Sequence, residues 1–160
     1  MSDPTLYDDD ILLWSEQQAA AIRKLGTTRR DLPNDLDIEN VAEEIESVGR
    51  SELAAVESHL QLIFAHLIKL FVEPEADAAR HWRSEIYGFH SEIRRRYAPS
   101  MRQRIDLDDL WRSAREQSIL AYEGAQRESV SGLAARCQFN LDDLISDRID
   151  FSTLLDRLTS

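Results

Sequence analysis

The sequence predicts an all-α protein, an up-and-down bundle of about four long helices with a short helical C-terminal tail. Three observations predict it. Apolar residues recur at three- and four-residue spacing through nearly the whole of the 160 residues. Only five Gly and four Pro are present, too few for a turn-rich β fold. The breakers Gly26, Pro33, Pro74 and Pro99 fall between the periodic segments. The length suits one domain, 1–160, with 128–160 as a loosely packed tail.

Residues 1–7 read as a short arm. Asp8, Asp9 and Asp10 place negative charge where a helix N-terminus favours it. Ile11, Trp14, Gln18, Ile22 and Leu25 then keep helical spacing up to Gly26. A loop over 27–34 leads to the strongest segment, which Asp35 or Asp37 can cap. Its stripe runs Ile38, Val41, Ala42, Ile45, Val48 and Gly49, then Leu53, Val56, Leu60, Ile63, Phe64, Leu67, Leu70 and Phe71. The two halves stay in phase if one helix runs from about 38 to 72, although Gly49 and Ser51 offer a place to kink. Glu73-Pro74 ends it. A third helix is predicted over 76–97, with Trp82, Ile86, Phe89, Ile93 and Tyr97 on its stripe. Asp106 caps a fourth over 107–127, with Leu107, Leu110, Trp111, Ala114, Ser118 and Ala121 inward. Residues 128–140 look loose, and 141–146 and 151–158 read as two short helices.

Nineteen Lys and Arg against thirty Asp and Glu give a net charge of −11. That balance speaks against non-specific binding to nucleic acid or to an anionic membrane. No apolar run approaches the roughly 18–20 residues of a membrane span, and 1–10 has no signal-peptide pattern. One cysteine, Cys137, excludes a disulfide framework and a Cys-only zinc site. The expected location is cytoplasmic. The charge is unevenly placed: 31–57 carries nine acids against Arg50, whereas 80–104 carries seven Arg against Glu85 and Glu92. Antiparallel packing of the second and third helices would set the acidic segment against Arg94, Arg95 and Arg96.

The block from Leu36 to Glu52, LDIENVAEEIESVGRSE, resembles the signature of a bacterial family known as domain of unknown function 29. Tyr7-Asp8 with Trp14, Glu16 and Gln17 is similar to that family's opening. His66 to Lys69, Trp82-Arg83 with Ile86 and Ile93, and Pro99-Ser100 match later landmarks, and Cys137 to Leu144 resembles its closing motif. Two positions depart from the pattern: Leu70 stands where the family often has Trp, and Gln138 where it often has Pro. The resemblance implies an all-helical bundle and brings no catalytic residue with it.

Inward carboxylates and histidines on facing helices are the donor set of bundle metal centres. Glu43, Glu46, Glu52, His59, His66 and His90 are the candidates of that type. The Glu-x-x-His motif of such centres is absent, and seven residues of helix separate His59 from His66 by about 10.5 Å. A metal would therefore need donors from other helices. Glu39, Glu43, Glu46 and Arg50 read rather as a solvated flank with a Glu46–Arg50 pair, and the histidines as half-buried groups with one partner each. His81 and Glu85, four residues apart, could act as an acid–base pair but have no linked nucleophile and read as an exposed helix pair. Trp14, Trp82 and Trp111 lie on apolar stripes and read as core. No phosphate-binding loop, dinucleotide fingerprint, HExxH or EF-hand loop occurs. The expected function is a non-catalytic interaction or adaptor module without a cofactor, binding a protein partner or a second copy as a homodimer. The alternative is a metal-binding bundle or metal-dependent enzyme.

Overall fold

A computed structural model describes residues 5–160, so the predicted arm lies in large part outside the described residues. Those residues form eight α-helices and one 3-10 turn, with no strand among them. The helices are α1 (Leu6–Asp9), α2 (Ile11–Thr28), α3 (Ile38–Val72), α4 (Ala79–Arg96), α5 (Leu107–Ala121), α6 (Gly124–Ser131), α7 (Leu141–Ile145) and α8 (Phe151–Leu158); the 3-10 turn is Pro99–Gln103. The chain divides into two compact units. The first takes residues up to Ala55 together with Tyr97–Arg104, and the second takes Val56–Arg96 with Ile105–Ser160.

In the first unit, Asp10 caps α2 and its carboxylate accepts from the Leu13 amide at 3.0 Å. The same carboxylate accepts from the Ser100 amide at 2.8 Å and the Ser100 hydroxyl at 2.7 Å. Asp10 is buried, and these donors satisfy it. Leu12, Ser15 and Ala19 face the start of α3, where Ala42 and Gly49 are also buried. A Cβ on Gly49 would stand 3.0 Å from the Leu12 Cα and collide with the Ser15 hydroxyl. Gly49 is therefore a contact site between helices. It does not break the helix, since α3 runs unbroken through it for 35 residues.

The second unit is organised by the rest of α3. Val56, Leu60, Ile63, Phe64, Leu67, Ile68 and Leu70 are buried, joined by Ile86 and Ile93 of α4 and by Trp111 and Ala114 of α5. Phe64 packs edge-on against Trp111 at 5.8 Å and stacks on Phe139 at 5.0 Å. The Trp111 indole N–H donates to the Ala134 carbonyl at 2.8 Å. Helix α5 stops at Ala121, six residues short of its expected end, and Gly124 opens α6 at a φ of 54°. Beyond it the chain is packed, contrary to the expectation of a loose tail over 128–160. Val130, Leu133, Phe139, Leu144, Ile149, Leu154 and Leu158 are all buried.

One further expectation is corrected. One 18-residue window of α3 has a mean hydropathy of 1.3, long and apolar enough by composition to cross a bilayer. Of that window 44% is buried inside the fold, including Val56, Leu60, Ile63, Phe64, Leu67, Ile68 and Leu70, whereas Leu62 is 40% exposed. The arginines of α4 have partners within their own unit. Arg94 binds Asp147 at 2.8 Å, and Arg95 and Arg96 both meet Glu92. The acidic flank is engaged by Arg23 of α2, 2.9 Å from Glu39, 3.6 Å from Glu43 and 3.0 Å from Glu46, and by Arg50, which bonds Glu43 and lies 3.7 Å from Glu46.

The two helical glycines make opposite expectations. Gly49→Ala should destabilise by roughly 1–3 kcal/mol through overpacking, more than the ~1 kcal/mol that helix propensity returns. Gly88, in α4, has open space around it, so Gly88→Ala should stabilise by up to about 1 kcal/mol. Chemical denaturation of both variants checks the signs. The stripe is also unequal along α3: Leu67 is fully buried, whereas Ile45 is only half-buried. Leu67→Ala should cost about 2–5 kcal/mol, and Ile45→Ala clearly less, as read from the shift of the denaturation midpoint.

Candidate functional site

A group of titratable and aromatic side chains in the second unit lies between α3 and α4. Helix α3 supplies His59, His66 and Lys69; α4 supplies His81, Trp82, Glu85 and Phe89. The four-residue spacing of His81, Glu85 and Phe89 sets them on one face of α4. His66 is only 6% exposed. Its Nδ1 stands 2.8 Å from the Leu62 carbonyl, and its Nε2 stands 2.8 Å from Oε2 of Glu85. The other oxygen of Glu85 is 3.4 Å from His81 Nε2. Phe89 packs against both histidines of α3, 5.1 Å from the His66 ring and 6.0 Å from the His59 ring. Lys69 sits over the Trp82 ring at 5.8 Å.

Burial works to raise the Glu85 carboxyl. The hydrogen bond from His66, with the charges of His66, His81 and Lys69, outweighs it and holds Glu85 below the usual carboxylate range. An ionised carboxylate between two imidazoles can bind and relay a proton. Among the described residues, no Ser, Thr or Cys side chain is bonded to the pair in the manner of an activated nucleophile.

The six candidate metal donors are placed apart. Glu43 and Glu46 are held by Arg23 and Arg50, His66 by Glu85, and His90 by the Ser146 carbonyl at 2.8 Å. Glu52 and His59 are also engaged. Among the described residues, no three His, Cys, Asp or Glu side chains are grouped to hold a metal ion. Cys137 is held as a thiol: burial pushes it up to about 11, the Asp108 charge adds to that, and the Phe139 carbonyl only partly opposes it.

Sequence reasoning found the His81–Glu85 pair and read it as exposed. It missed His66 as the buried third member, because that bond depends on the register of α3 against α4. It also missed Arg23, although the nine-residue link from α2 to α3 was a usable sign that their charged flanks meet.

His90 offers a pH test. Burial lowers it and the nearby Arg94 charge adds to that, outweighing the bond to Ser146. The folded chain therefore keeps His90 neutral where the unfolded chain takes up a proton. Its contribution to stability is full above an unfolded value of 6.5 and is lost as pH falls below it. His90→Gln, which can still donate to Ser146, should lose melting temperature less steeply than wild type between pH 7 and 5. Equal slopes would show that His90 does not carry the effect.

No curated protein matches the chain. A solved alpha-helical protein of unknown function from Rhodospirillum rubrum ATCC 11170 is 34% identical, over 95% of this chain and 96% of that one, with a TM-score of 0.84. It shares the all-helical fold. The sequence profile described as Domain of unknown function DUF29 matches residues 6–149, from the first turn of α1 past the end of α7. With the match covering nearly the whole described fold, and the block from Leu36 to Glu52 at its centre, the chain belongs to the DUF29 family.

Proposed function

We propose that the protein is a non-catalytic interaction module of the cytoplasm, and that one flank of α3 in the first unit is its contact face. The observation that carries this reading is the exposure of Val41 (39%) and Val48 (45%). At 100° per residue the two lie within about 20° of each other and about 100° from Ala42 and Gly49, the positions turned to α2. Ile45, half-buried, falls between them along the helix. Leu36 and Leu25 are also exposed, at 41% and 40%. Single exposed apolar residues are ordinary, whereas apolar side chains repeated along one helix flank are what a partner covers. The opposite flank is occupied by the ion pairs of Arg23 and Arg50. The net charge of −11 favours a protein partner, or a second copy, over a nucleic acid.

The test is site-specific photocrosslinking in the cells the protein comes from. A photoreactive residue at position 48 should give a discrete adduct that one at Glu116, exposed on α5, does not. An adduct of twice 18.4 kDa identifies a second copy, and any other mass a different protein. Val41→Asp is a surface change that should leave the melting temperature nearly unaltered and should abolish the adduct. Absence of any adduct from position 48, or the same adducts from both positions, would overturn the reading.

A further inference from the structure

The exposed flank of α3 in the first unit repeats every seven residues. Val41 and Val48 stand at that interval, and Ala55 follows them. Asp37, Glu44 and Ser51 keep the same interval, each four residues ahead of one of these apolar positions. All three are exposed. Asp37 caps the helix, its carboxylate accepting from the Asn40 amide at 3.2 Å. Alternating steps of three and four residues are the spacing of a seam along which two helices pack. This seam is aliphatic at one set of positions and acidic or hydroxyl at the other. Among the described residues Glu44 forms no ion pair. The acids that do, Glu39, Glu43 and Glu46, lie on the opposite flank with Arg23 and Arg50. Arg50 is the only Lys or Arg of α3 before Lys69, so α3 brings no positive charge to the exposed flank.

Taking this flank as the contact face proposed above, we propose that its partner is a basic amphipathic helix of another protein. Aliphatic side chains of that helix cover Val41 and Val48, and lysine or arginine side chains meet Asp37 and Glu44. Burial of the valines supplies attraction. The acids supply selection, because a carboxylate covered by a helix that offers it neither charge nor hydrogen bond loses its water without return. A second copy fits this seam badly. In a parallel pair Glu44 would face Glu44, and in an antiparallel pair it would face a valine. The net charge of −11 adds repulsion between copies and attraction for a cationic segment. Ser47 and Ser51, on the same side of α3 as Glu44, have short side chains, so a second helix can lie at the usual axial distance of roughly 8–10 Å.

The probe is a fluorescein-labelled synthetic helix of about 21 residues, three heptads long. It carries leucine at every seventh position, lysine three residues after each leucine, and alanine and glutamine elsewhere. A twin has glutamate in place of lysine. Fluorescence anisotropy with the full chain should show the lysine peptide binding at least roughly tenfold more tightly than the twin. Val48→Asp should weaken the lysine peptide by roughly tenfold, although it adds a negative charge. Non-specific attraction to an acidic chain would instead grow stronger in that variant, and such a result sinks the proposal. Glu44→Lys should reverse the preference between the peptides, whereas Glu43→Gln, on the opposite flank, should leave it unchanged. Positions 43, 44 and 48 are exposed, so these variants should melt close to wild type. Val41→Asp stands in for Val48→Asp should that variant not fold. Equal binding of the two peptides, or binding of neither, would overturn the proposal. The crosslink from position 48 tells its failure from that of the contact face. An adduct of twice 18.4 kDa, or a crosslinked partner segment without lysine or arginine at this spacing, leaves the face standing and rejects the basic helix. No adduct at all rejects both.

Discussion

The second unit depends on one apolar stripe, the face of α3 from Val56 to Leu70. A helix of 35 residues does not hold its shape in water through propensity alone, and most of its stability comes from burying one face. That face here carries seven residues that are at most 4% exposed. Phe64 shows how the stripe places elements far away in the chain. Its ring meets Trp111 on one side and Phe139 on the other, and those two rings also touch at 5.8 Å. Trp111 cannot be buried without a partner for its indole N–H, and the Ala134 carbonyl supplies it. One aromatic side chain and its polar atom thus fix the segment between α6 and α7, which has no regular structure of its own.

The stripe was legible in the sequence because its period persists over many turns, and its phase across Gly49 correctly allowed one continuous helix. Gly49 itself was ambiguous. A glycine in a helical pattern marks a kink or a close approach, and only the position of Leu12 and Ser15 decides between them. The tail was illegible for a different reason. Val130, Leu133, Phe139, Leu144 and Ile149 are spaced by three, six, five and five residues, which matches no single period. Short elements bury one or two side chains each, so no run is long enough to announce itself. In the candidate site, His81 and Glu85 were visible as a local pair, whereas the bond from His66 spans 19 residues and two helices.

The charge distribution was visible, but not which acid meets which arginine. Acidic and basic segments suggested pairing between the second and third predicted helices, and several of these charged groups have partners within their own unit. Arg23 on the adjacent helix reaches Glu39, Glu43 and Glu46, Glu92 meets Arg95 and Arg96 within its own helix, and Asp147 of the tail meets Arg94. A long arginine side chain loses less freedom in pairing with a neighbour already held close than in reaching a distant one. Exposed pairs of this kind have a median worth of about 0–1 kcal/mol, too little to dictate helix order.

Buried polar groups do what the surface charges do not. Apolar packing is non-directional and tolerates small shifts of register, whereas a buried donor or acceptor must find its partner at one position or lose on the order of 1–3 kcal/mol. Three such groups join segments remote in sequence: Asp10 with Ser100, His66 with Glu85, and His90 with the Ser146 carbonyl. The first belongs to one unit and the other two to the second. Within the second unit the two histidines bond different groups, His66 a carboxylate and His90 a carbonyl. His90 meets its carbonyl as a neutral donor that burial keeps from charging. Where α4 meets the segment after α7, the contact therefore tightens as pH rises toward neutrality.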